Sequence, residues 1–164
     1  MENQEYNTQQ LMVSTLTKIG CQPTVDEDDR VVVTYQGEHF MMVFGGRYAQ
    51  IWDLGWANVN VNEPDFSEIR EAVNRTNFEF GPTVVMTEPD EKGTVYLHSR
   101  LGILLLPDIP EIGDYLRSSL DMFFRTKASL RANFQQITFE QQKAREGRRP
   151  VGFSSMTETN ENAN

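Results

Sequence analysis

Apolar and polar positions are most clearly organised between Arg30 and Leu54. Val31, Val32, Val33 and Tyr35 lead to Gln36-Gly37, and Phe40 to Phe44 come back. Gly45-Gly46 then turns the chain, and Tyr48, Ile51, Trp52 and Leu54 make a third pass. Glycine supplies the positive φ that a tight hairpin turn requires, so this stretch predicts three antiparallel strands in succession. Apolar residues stand on both faces of the first two, which predicts strands that lie centrally or are covered on both sides.

The flanking segments predict helices and further strands. Leu11, Met12, Leu16 and Ile19 fall on one helical face, with Asn7 or Thr8 as cap and Gly20 after the last turn. Pro23-Thr24-Val25 reads as extended, and Asp26 to Asp29 as an exposed turn. Trp56 stands at the edge of the polar stretch Asn58 to Asn62. A second helix starts near Asp65, whose spacing to Glu68 is a partial capping box, and runs through Ile69, Ala72 and Val73 to about Asn77. Gly81-Pro82 breaks the chain. Thr83 to Thr87 and Thr94 to Arg100 form a second hairpin about Pro89 to Gly93, and Leu101 to Leu106 continue the second arm or bend onto the sheet.

Ile112, Leu116, Leu120, Phe123, Phe124, Leu130, Phe134 and Ile137 mark the apolar stripe of a final helix from Glu111 to about Gln142. A helix of that length is expected to overhang a compact domain. Its second half should then meet a second copy, a client or the first helix. The predicted class is α+β: an antiparallel sheet of about five strands with helices packed on it, in the order α-β-β-β-α-β-β-α. One domain spans 1–145, and 146–164 is expected to be a disordered polar tail.

Charge sharpens this picture. The 164 residues carry a net −9, which argues against non-specific binding to nucleic acid or anionic membrane. Residues 1–114 hold 7 Lys/Arg against 19 Asp/Glu, whereas 115–150 hold 8 against 3. An acidic body with a basic last helix is suited to self-association or to an acidic partner. The longest apolar run, Leu101 to Leu106, is too short to cross a bilayer. The acidic start Met1 to Glu5 does not read as a signal peptide, so a cytoplasmic location is expected.

Candidate chemistry is sparse. One cysteine, Cys21, excludes a disulfide framework and reads as a structural thiol. Asp26-Glu27-Asp28-Asp29 lacks the alternating ligands, glycine and distant Glu of a calcium loop. With two histidines and no nucleophile motif, no catalytic, cofactor or metal site is assigned. His98, Asp53 and Glu79 are the candidates for a cryptic enzyme site. The aromatic residues point instead to a non-enzymatic protein-binding module. Trp56, following Gly55, is expected to be more exposed than Trp52. With Phe78, Phe80, Phe134 and Ile137 it forms the candidate surface for anchoring a partner segment. A structural homodimer and a small-molecule-sensing regulator are the alternatives.

The segment Ala72-Val73-Asn74-Arg75-Thr76-Asn77, followed by a strand, a turn and Gly93-Thr94-Val95-Tyr96-Leu97, resembles the bacterial YbjN-like family of sensory transduction regulators. That family's domain is similar to type III secretion chaperones. Over residues 8–140 the resemblance implies helices on an antiparallel sheet, often in a dimer. It also implies a role, chaperone-like or regulatory, in binding a protein client.

Overall fold

A computed structural model describes residues 6–147. Helix α1 (Thr8–Lys18) is followed by β1 (Thr24–Val25), β2 (Val31–Tyr35), β3 (Glu38–Gly45) and β4 (Tyr48–Asn60). Helix α2 (Phe66–Thr76), β5 (Thr83–Met86), β6 (Thr94–Leu104) and α3 (Ile112–Gly147) complete the chain. The α+β class and the order of the long elements are as expected. The sheet has six strands rather than five, because Thr24–Val25 pairs with Val31–Val32 at its edge. The strand order is β1-β2-β3-β4-β6-β5, antiparallel throughout.

The polar residues Asn58 to Asn60 belong to the sheet. β4 runs on to Asn60 because Ala57 and Val59 keep an inward alternation with the outward asparagines, and they pair with Leu97 and Val95. Between Asp53 and Ala57 four steps along β4 match two along β6, a bulge about Gly55, whose φ is +61°.

All three helices pack on one face of the sheet, over two adjoining cores. The first joins Met12 and Leu16 of α1 and Leu116, Leu120 and Phe123 of α3 to Val31, Phe40, Met42 and Ile51. Phe40 and Phe123 meet edge to face with centroids 5.1 Å apart. The second joins Val73 of α2 and Leu130 of α3 to Val59, Val84, Val95 and Leu97. Each large side chain buried here contributes about 1.5–3 kcal/mol.

The second half of α3 does not overhang the domain. It lies antiparallel along α2: Asn133 bonds Thr76, and Arg75 reaches Glu140 further along α3. α3 continues to Gly147, past the boundary expected at 145. The tail expected at 146–164 lies, from residue 148 on, outside the described residues.

Candidate functional site

At the seam between the two cores the sheet row Val33–Phe40–Asp53–Ser99–Val84 carries a charge. Lys127 comes down from α3 onto this row. Its Nζ is 2.7 Å from Asp53 Oδ2 and 3.0 Å from Glu38 Oε2. Both Lys127 and Asp53 are buried. The Lys127 ammonium is the cation that faces Asp53 Oδ2.

Burial pushes the Asp53 carboxyl above its ordinary value. The Lys127 ammonium opposes that shift through its hydrogen bond and its charge, and Glu38 adds to the rise. Trp56 closes the site: its ring lies 5.3 Å from Lys127 Nζ, and its Nε1 donates to Ser99 Oγ at 3.0 Å. The bulge turns Trp56 towards the helices, while Gly55 N donates to His98 Nδ1 at 2.6 Å. This cluster is sealed by aromatic rings, and its chemistry is that of a structural ion pair.

A different kind of feature follows α2. Phe78 and Phe80 are 87% and 94% exposed, yet the turn that carries them is held from both sides. The Asn77 side chain donates from Nδ2 to Val84 O at 3.0 Å and accepts from Val84 N on Oδ1 at 2.8 Å. It thus bonds the outer backbone of edge strand β5 as a neighbouring strand would. Asn133 of α3 donates to Thr76 Oγ1 and Glu79 Oε1, both at 3.0 Å. Gly81, with φ +144°, and buried Pro82 bring the chain back against Thr126. Two apolar rings therefore stand in solvent on a braced turn.

The expected surface of Trp56, Phe78, Phe80, Phe134 and Ile137 is not brought together. Trp56 is half-buried against Lys127, and Ile137 is 1% exposed. Phe134 is half-buried, because α2 covers the flank of α3 that was expected to be free. Of the five, Phe78 and Phe80 stand free in solvent. Of the two tryptophans, Trp52 faces away from the helices, with the Arg100 guanidinium 5.8 Å from its ring.

The residues considered for a cryptic enzyme do not converge. Asp53 is buried under Lys127, His98 lies on the opposite face, and Glu79 bonds Asn133. Cys21 lines an open groove of about 500 Å³. Burial raises its thiol above the ordinary range, against the pull of Arg117, so the thiolate is disfavoured. Asp26 closes its own turn, accepting from the backbone of Asp28 and Arg30. Among the described residues no group of His, Cys, Asp and Glu could hold a metal ion. No described helix is long and apolar enough to cross a membrane.

Sequence reasoning passed over Lys127 and Asn77. The signal for the first was a lone lysine within the apolar stripe of α3, four residues after Phe123. For the second it was an asparagine at the end of α2, just before a strand too short to protect its own edge.

The fold is YbjN-like. The chain is similar to a crystal structure of YbjN, described as "a putative transcription regulator from E. coli", with a TM-score of 0.53 and 10% identity over 77% of this chain and 92% of that one. At that identity the likeness concerns the fold. No family model matches the chain, and no curated protein matches it. Within the YbjN-like fold, the segment Ala72 to Asn77 supplies the end of α2 and the clamp on β5.

Proposed function

We propose that this chain is a regulatory, non-enzymatic module that binds a protein partner through the phenylalanine pair of the 77–82 turn. The observation that carries this is the exposure of Phe78 and Phe80 on a braced loop. An exposed phenyl ring gains about 1.5–3 kcal/mol when buried. Because Asn77 and Asn133 already fix the turn, little ordering cost offsets that gain. The description of YbjN as a regulator supports the same reading.

The partner's chemistry follows from the surroundings. Glu79 stands between the two rings, and the body of the chain is strongly acidic. The fitting partner is a segment with an apolar pocket or stripe flanked by Lys or Arg, drawn in by long-range charge. Selection of a displayed random-peptide library on the full chain tests this. Enriched peptides should combine apolar positions with flanking basic residues, and should bind at least about tenfold more weakly to the Phe78→Ala/Phe80→Ala variant. Equal binding to the variant, or no enrichment, overturns the assignment.

A further inference from the structure

The face of the sheet turned away from the helices carries both histidines of the chain and, along the strands, none of its 24 Asp and Glu residues. His39 pairs with Thr34 on β2, and His98 with Val85 on β5. The two imidazoles are held differently. His39 Nδ1 lies 2.9 Å from Thr34 Oγ1, a hydroxyl that donates or accepts as required, so the contact survives in either protonation state. His98 Nδ1 instead accepts from the backbone N–H of Gly55 at 2.6 Å. An amide N–H can only donate. Nδ1 is therefore unprotonated, and the ring is the neutral tautomer with its proton on Nε2.

That bond ties down the bulge of β4. Leu54 to Trp56 have no pairing partner on β6, so the ladder does not hold Gly55 and the imidazole does. Trp56, the next residue, covers the Lys127–Asp53 pair: its ring is 5.3 Å from Lys127 Nζ, and its Nε1 donates to Ser99 Oγ. Ser99 directly follows His98. The imidazole and the indole thus lock the bulge to adjacent residues of β6 from opposite faces of the sheet. We propose that His98 is a proton-operated latch: protonation of Nδ1 sets one N–H against another, frees Gly55 and loosens Trp56 from the buried pair.

The surroundings of the ring offer no substitute for the lost bond. His98 is half-buried, so solvent protons reach it. On its own face Tyr96 and Arg100 stand two residues to either side along β6, Leu54 lies on β4, Val85 faces it from β5, and His39 stands on β3. None of these is a carboxylate that could pair with an imidazolium. Asp53, through the sheet, is the acid whose charge reaches His98. It is already engaged by Lys127 on the helix side, with Glu38 beside it. A charged imidazole therefore gains no partner that restores the contact at Gly55, and the bulge opens instead of exchanging one bond for another.

Nuclear magnetic resonance of the nitrogen-labelled full chain provides the test. At about pH 8 His98 should be the Nε2–H tautomer. On acidification to about pH 5, the span over which an imidazole takes up its proton, the Gly55 amide and Trp56 Nε1 resonances should move with the same midpoint as the His98 ring. His98→Asn puts an amide oxygen near the position of Nδ1, an acceptor that does not titrate. It should keep the Gly55 bond and abolish the response of Trp56, whereas His39→Asn should leave that response intact. His98→Phe has no acceptor, and its Gly55 amide should exchange at least about tenfold faster than that of the wild type at neutral pH. An Nδ1–H tautomer, Gly55 and Trp56 resonances that do not follow the His98 titration, or a response that persists in His98→Asn would each overturn the proposal. The first two are read on the wild type, so they decide the matter even if a variant misfolds.

Discussion

Lys127 Nζ stands 2.7 Å from Asp53 Oδ2 at the seam of two hydrophobic cores, with both side chains buried. Removing one partner of such a pair leaves the other charge uncompensated. Lys127→Met should therefore cost about 3–5 kcal/mol in urea unfolding at neutral pH. Replacing both, as Asp53→Leu/Lys127→Met, should cost less than Lys127→Met alone.

The same pair gives a pH signature. Asp53 has a folded value above its ordinary 3.8. Its contribution to stability is thus fully present below that value and is lost as pH rises through the folded one. Lys127→Met removes the charge that opposes this rise. The deficit of the variant relative to wild type should then shrink as pH is lowered from 7 towards about 4.5. A deficit that does not change with pH would mean that Asp53 is not the charge being stranded.

Asn77→Ala should cost about 1–3 kcal/mol, because both backbone groups of Val84 lose their partner. It should also uncover the edge of β5, an opening for intermolecular strand pairing. Chemical denaturation measures the first effect, and light scattering on warming measures the second.

Asp26 provides a control of opposite sign. Partial desolvation would raise its carboxyl, but the hydrogen bonds from the Arg30 backbone and side chain and from Asp28 outweigh that and hold it below 3.8. Its contribution is present above 3.8 and is lost as pH falls through the folded value. Asp26→Asn should lower the Tm at neutral pH, and the gap should close in acid, the reverse of a burial-dominated carboxyl.

Gly81→Ala places a Cβ 3.1 Å from Thr126 Oγ1 at a φ of +144°. A loss of about 1–3 kcal/mol is expected by thermal unfolding. Because the turn also presents Phe78 and Phe80, peptide binding should weaken in this variant even at temperatures where it remains folded.

What could be read from the chain divides along a physical line. The hairpin about Gln36-Gly37 and the pairing of β3 with β4 rest on local alternation and turn chemistry, and both are present. The exposure of Trp56 was misjudged because the Gly55 bulge breaks the alternation locally and turns the ring inward, while Asp53 and Ala57 on either side keep the inward register. The burial of Ile137 was misjudged because an apolar stripe shows that a helix packs, not which helix it meets, and α2 was the partner. Phe78 and Phe80 are exposed because they stand in the connection between α2 and β5, off the inward face of either element. The acid-free sheet face becomes visible only once register aligns residues from six strands.

One last consequence concerns α3, the 36-residue helix that roofs both cores. It is also the last described element to leave the ribosome. Until it emerges, Phe40, Met42, Ile51, Val95 and Leu97 have only α1 and α2 over them, and neither core is complete. Closure of both cores must therefore wait until α3 has been synthesised. In that interval the nascent sheet is greasy on both sides and exposed to chaperones and to its neighbours on the same message.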